Sequence, residues 1–546
     1  MFFWILGGVF GIFFLIFLWD RFFQTKNLVV GNYPVIGRFR YFFHKLRPFF
    51  RQYFGDDNAY LPRVIVDWIL KVAHGKSGYF AFDIFDSTGK LHDGNHQMRH
   101  SANPKNVDEI APKFPTIGEK RKHPMKMKNF LYKSAMSLGA IGFEGTRAMA
   151  SACEKVGAPF NTGEGGFAVH HIPNVKFSPE KKFFKSVKIP KLFKVFLFFA
   201  PGARLKNRAI DFLGNLFLPC GMRDLWLFDK KYFCFYTINW DAPLSDFPEK
   251  ISDGAGQIIF QIGSGLYGLR DPHDPKKFNF DRFQKIMRFC AAIEIKLAQG
   301  AKQTGGVLKA VKNTPVIAEI RGVKAGIDLI SPNRFPFYEK DGEKEFFEFL
   351  ELLSEKAGGK PIGIKIVISS EKNIEPIARE MERNPRVGPD FITIDGGDGG
   401  SGAAPVALGI LFGKKIEKAL ETAISVLKKY RVRNRVKVFA SAKLAAPNQS
   451  ARALAIGADA IGEARAVMIA GGCIRSGFCS GENGDCPVGL ATMKRSKRRG
   501  YEQSFSEKVK NIENYFRAHE HGLEQIAAIC GVDSPSRLLP EHLAEK

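Results

Sequence analysis

The sequence predicts an α/β fold in which eight parallel strands and their following helices close into a (β/α)8 TIM barrel. Three observations point there. Short apolar and β-branched runs recur from residue 134 onward, amphipathic patterns such as residues 414–429 fall between them, and the runs end in glycine-rich or polar turns. The eight candidate strands are residues 134–138, 158–161, 257–262, 291–296, 362–367, 391–395, 436–440 and 459–463. No G-x-G-x-x-G turn follows the first of them, which argues against a doubly wound sheet.

Residues 1–19 carry no charge, and as a helix they would extend about 28 Å at roughly 1.5 Å per residue, close to one hydrocarbon core. Asp20, Arg21 and Lys26 follow, then five more cations by residue 51. This flank predicts a single-pass membrane anchor with the rest of the chain on the cytoplasmic side. Residues 20–115 read as a lead-in region and residues 116–500 as the barrel. An insertion at residues 174–250 interleaves Lys and Arg with Phe, Leu and Val. Two readings fit it: a solvated lid whose aromatics pack on the barrel, or an element that meets a membrane surface. Residues 501–546 carry amphipathic patterns expected to cap the barrel.

With 546 residues and 45% hydrophobic content the chain can bury a large core, but its formal charge of +26 is unusual. That balance suits nucleic acid, an anionic membrane surface or acidic substrates. No nucleic-acid-binding motif accompanies it, so no nucleic-acid partner is expected. Eight cysteines are too sparse for a disulfide scaffold, and only Cys473, Cys479 and Cys486 cluster.

Chemistry concentrates at the predicted strand ends. The first strand ends SAMSLGAIG and the second NTGEGG, where Glu164 stands between glycines. The fourth carries Glu294, Lys296, Gln299 and Lys302 in EIKLAQGAK, and the fifth places Lys365 inside an apolar run. A lysine in a strand interior is costly unless an anion or carboxylate faces it. Either these lysines are paired internally or they hold a dicarboxylate. The turns DGGDGGSG, SAK and AR, after the last three strands, expose backbone N–H groups of the kind that bind phosphate.

These motifs, with IIFQIGSGLYG, AEIRGVKAGIDLISP and CPVGLAT in the same order, resemble the FMN-binding glutamate synthase family, in particular its short members without a glutaminase domain. The resemblance implies a barrel that binds FMN, a [3Fe-4S] cluster held by cysteines, and reductive formation of glutamate from 2-oxoglutarate and ammonia, with electrons from an unidentified donor protein. It places Ala135, Met136 and Ser137 along the isoalloxazine ring. Gly396, Gly397, Gly400, Ser401, Gly402, Ser441, Lys443, Ala464 and Arg465 would surround the ribityl phosphate. Glu164, Lys296, Gln299 and Lys365 would serve the substrate and flavin, and Cys473, Cys479 and Cys486 the cluster. The chain departs from the family's pattern in three places. The gap between Cys479 and Cys486 is two residues longer, QTGG follows QGAK where the family has PGxGG, and Ala442 replaces the glycine of an SGK turn. Two other readings therefore stand beside the first: a flavin oxidoreductase acting on another 2-oxo or 2-hydroxy acid, and a non-catalytic basic membrane or nucleic-acid binding protein on a decayed barrel.

Overall fold

The computed structural model describes residues 2–23, 30, 33–39, 42–43, 46, 61–79, 97–174, 176–199, 202–249, 256–271, 274, 277–300, 305–400, 411–479 and 484–544. The chain divides into two units: Met1–Ala59 with Ile474–Gly477, and Tyr60–Cys473 with Phe478–Lys546.

In the first unit the apolar run folds as helix α1, Phe2–Leu18, and passes into a π-helical turn at Trp19–Phe23. Asp20 closes that turn: its buried carboxylate accepts from Arg38 Nε at 2.8 Å and from the Val35 amide at 3.0 Å. The expected membrane span is corrected here. Helix α1 has 17 residues, roughly 26 Å at about 1.5 Å per residue. Among the described residues no helix is long and apolar enough to cross a membrane.

The second unit is built on eight parallel strands: β1 Leu131–Lys133, β2 Phe160–Asn161, β3 Ile258–Ile262, β4 Ala292–Lys296, β5 Ile362–Ile366, β6 Phe391–Asp395, β7 Lys437–Ser441 and β8 Ala460–Glu463. They form a closed barrel in which each strand pairs with its sequence neighbours and β8 returns to β1. Strands β5 and β6 are buried along their whole length, as parallel strands covered by helices require. Seven strands lie within three residues of their predicted spans. The first does not: β1 ends just before residues 134–138, the span expected for it. Phe130, Leu131 and Tyr132 are the buried residues, and Lys133 is buried with them because backbone carbonyls of Asn161 and Met136 take its ammonium, at 2.7 and 3.2 Å. Ser134 onward is free to turn across the barrel mouth.

Helix α2, Arg63–Ala73, precedes the barrel, and α3, Phe143–Val156, follows β1. Between β2 and β3 the insertion folds as a three-stranded antiparallel sheet, ordered Phe184–Lys188, Cys234–Ile238, Leu227–Asp229, with helices α4, Leu192–Phe199, and α5, Gly202–Phe217. Its Phe183 meets Phe289 below β4 at a tilt and Phe247 meets it edge-on, at 5.9 and 6.0 Å between centroids. After β8 come α6, Arg495–Gln503, and α7, Phe505–Ile529. Helix α7 packs on α3 and α2, and Trp68 meets Tyr515 edge-on at 5.9 Å. Arg498 of α6 is fully buried and bonds both carboxylate oxygens of Glu144 on α3 at 3.0 Å, while also reaching Asp224 in the insertion.

Candidate active site

The rim of the barrel at the strand C-termini gathers residues from six strands, and register decides which of them meet. Asp395 pairs with Ser441 across β6 and β7, Glu463 with Lys133 across β8 and β1, and Lys365 with Lys296 across β5 and β4. Lys296 Nζ donates to Glu164 Oε1 at 2.7 Å and to Gln299 Oε1 at 3.1 Å. Lys365 Nζ faces Asp395 Oδ1 at 3.2 Å, and Asp395 Oδ2 accepts from the Gly300 amide at 2.7 Å. Each lysine of the pair thus has its own carboxylate.

Small residues make this closeness possible. Gly263 and Gly306 both abut the Glu164 carboxylate, and a Cβ on either would overlap it. Gly163, at φ +71°, lies so close beneath Ser137 that a Cβ there would stand 2.5 Å from the Ser137 amide nitrogen. The turn after β1 is therefore laid directly on the turn after β2.

Two adjoining cavities open at this rim. The larger, about 230 Å³, is lined by Ala135, Met136 and Ser137, by Glu164, Lys296, Gln299 and Lys365, and by Ala464 and Arg465. The smaller, about 60 Å³, is bordered by Ser134, Asp395, Gly400, Ser441, Ala442, Lys443, Glu463 and Arg465. Ser134 Oγ and Ser441 Oγ are 3.0 Å apart across its floor. The geometry brings together eight of the twelve residues expected at a flavin and its phosphate. Gly396 and Gly397 instead sit behind the wall, packed against Ala442, Ile416 and Gly413. Ser401, Gly402 and Lys302 lie outside the described residues. Ala442, the departure from glycine, is accommodated because Gly396 leaves room for its methyl group.

Other expectations change. Glu294 does not pair with Lys296: it is buried inside the barrel, where its carboxylate accepts from Asn161 at 2.8 Å, Gln261 at 2.7 Å and Thr393 at 2.6 Å. The expected cluster ligands do not stand out as a metal site. Cys486 is buried and Cys479 lines the larger cavity, yet among the described residues no three His, Cys, Asp or Glu side chains stand close enough to hold a metal ion. The space beside these thiols is taken by Lys312, whose Nζ donates to the Cys479 carbonyl at 2.9 Å and to the Ala140 carbonyl at 3.2 Å. Burial pushes the Lys312 ammonium down, and the thiols of Cys479 and Cys486 act the other way.

Three further residues shape the site without having been singled out. Asp395 ends β6, and its carboxylate became visible only through Lys365. Lys133 is held down to about 7 by burial beneath the β1 turn. Arg321 donates to the Leu138 carbonyl at 2.9 Å and lies over the Tyr267 ring at 4.9 Å, so it braces the wall of the larger cavity. It lies within the AEIRGVK motif, which was the available signal.

A parallel barrel with an anion-binding turn beside a lysine-lined cavity at one rim defines a class of cofactor-dependent enzyme. Residues 90–533 match the family model described as the conserved region in glutamate synthase, and the chain belongs to that family of oxidoreductases. It is 28% identical to the glutamate synthase large subunit-like protein YerD of Bacillus subtilis, over 95% of this chain and 90% of that protein. It is also 28% identical to the archaeal glutamate synthase [NADPH] of Methanocaldococcus jannaschii, but that match spans only about half of each chain, 53% and 52%. Among solved structures, a mutant flavocytochrome b2 with benzoylformate matches 92% of this chain and 91% of its own at 11% identity and a TM-score of 0.43.

Proposed function

We propose that the protein is an FMN-dependent oxidoreductase of glutamate synthase type, forming glutamate from 2-oxoglutarate and ammonia. The observation that carries this reading is the register pair Lys296–Lys365 at the edge of a cavity that adjoins a Ser441–Arg465 cradle. The cradle, with its small residues and cations, fits a phosphate, and the turn at Ala135–Ser137 offers a flat backbone wall to a ring.

When bound, FMN would supply a hydride. The chain's own residues bind and orient the partner molecule. Ammonia and a 2-oxo acid lose water to give an imine, and two electrons and two protons turn that imine into the amino acid. Lys296 and Lys365, each already paired with a carboxylate of the chain, would share their charge with the two carboxylates of the acid, with Gln299 a hydrogen-bonding neighbour. Glu164, held against Lys296, is the group positioned to take or return a proton near the reacting carbon. The reductant is a partner of unassigned kind.

The test is an absorption spectrum of the purified protein followed by turnover with 2-oxoglutarate, ammonia and a chemical reductant. Flavin absorbance with turnover supports the reading. A yellow protein that turns over only another 2-oxo acid moves the substrate assignment, and a protein unable to bind FMN removes the reading altogether.

For localisation we propose attachment to the cytoplasmic face of a membrane without a span. The run of cations after α1 and the exposed rings of Phe3 and Trp4 support it. Recovery of all the protein in the soluble fraction of lysed cells would refute it.

A further inference from the structure

The insertion's two helices carry an apolar ridge that no part of the described chain covers. On α5, Leu205, Phe212 and Leu216 recur at seven- and four-residue spacings, so they share one face. All three are exposed, Phe212 at 60%. On α4, Leu192 and Val195 are exposed as well, Leu192 at 78%. Monomeric proteins rarely leave such a row of large apolar side chains in water.

The charge around the ridge has one sign. Between residues 181 and 217 the sequence has nine Lys and Arg and a single acidic residue, Asp211. That carboxylate is turned inward, where Arg495 Nη2 bonds it at 2.5 Å and Arg499 Nε at 2.8 Å. Lys191, Lys194, Lys206 and Arg208 are exposed beside the ridge. This stretch therefore uses its one acid to fix α5 to α6 and presents cations and apolar groups outward. A protein partner would need a complementary acidic rim with an apolar centre, whereas an anionic bilayer offers both over any area.

We propose that α4 and α5 form a docking face for an anionic lipid surface, with Leu205, Phe212 and Leu216 entering the headgroup boundary and the cations lying among the headgroups. This does not depend on the chemistry at the barrel rim, nor on any membrane affinity of α1. Because α5 is tied to α6 and Arg498 of α6 to α3, docking fixes the barrel's orientation to the surface.

The experiment uses the full chain, with vesicles of phosphatidylcholine mixed with phosphatidylglycerol, some carrying brominated acyl chains. In Phe212→Trp the fluorescence added by the new indole should shift to the blue and be quenched by the brominated lipid, and high salt should reverse both. In a second variant, L205S/F212S/L216S, partition onto these vesicles should fall by at least ~10-fold with the thermal melt unchanged. Failure of the added indole signal to respond in protein that co-sediments with vesicles would overturn the proposal, since α1 would then carry the binding. So would an unchanged partition of the triple variant, or an effect confined to self-association, which would identify a second copy as the occupant.

Discussion

Lys296 and Lys365 are register partners on adjacent strands, and each ammonium lies against a different carboxylate, Glu164 at 2.7 Å and Asp395 at 3.2 Å. Two cations are thus kept side by side in a nearly dry rim, with the repulsion between them offset by their separate partners.

Removing one member of such a pair takes from a buried charge its ion-pair partner. Lys296→Gln should destabilise the fold by about 3 kcal/mol or more, and Glu164→Gln by a similar amount, whereas the double variant should recover most of the loss. Chemical denaturation of the three variants measures this; additive losses in the double variant would show that the two side chains do not depend on each other.

Lys133 predicts a pH dependence. Its folded-state value of about 7 lies below the ordinary 10.5 because of burial. Between these values the unfolded chain holds more protons than the folded one, so the Lys133 contribution makes stability rise with pH from about 7 to about 10.5. Lys133→Met should flatten that part of the profile. Identical slopes for the two proteins in denaturation series across this range would contradict the assignment.

Glu144 gives a slope of the same sign in the acid range, though here the folded state favours the charged form. Although burial disfavours its charge, Arg498 and Arg495 hold the carboxyl down at about 2 against an ordinary 4.5. The stability it contributes is complete above about 4.5 and is lost as pH falls toward 2. In Glu144→Gln that acid-sensitive part should vanish, and stability at neutral pH should drop by roughly 3 kcal/mol, because Arg498 is left buried with only Asp224. Midpoints of acid unfolding would read out both effects.

Gly163→Ala should cost about 1 kcal/mol for its positive φ alone, with more from contact with the Ser137 amide. Since the displaced segment is the wall at Ala135–Ser137, FMN affinity should weaken by ~10-fold or more, a loss of at least about 1.4 kcal/mol. Titration of the apoprotein with FMN tests it, and unchanged affinity would place the ring elsewhere.

The barrel was legible because its later strands are unbroken apolar runs with sharp ends: residues 391–395 were predicted and observed as β6. The start of β1 was not, because Lys133 reads as solvent-facing until the Asn161 carbonyl is seen to hold it. At the site, the sequence named Glu164 and Lys296 separately, but nothing local says that residues 132 apart form a contact. Pairing by strand order, which comes only from closing the ring, also moved Glu294 to the interior. The cluster was implied by the family resemblance, and the position of Lys312 beside Cys479 is a matter of tertiary placement that spacing cannot contain. The apolar ridge of α5 was hidden in a stretch where Phe and Lys alternate so densely that inward and outward faces look alike.

The two rim cavities have a party wall: Ala135, Gln299, Lys365, Gly400, Ala464 and Arg465 belong to both. A substitution in that partition therefore reshapes both chambers at once, and neither can be altered there without the other.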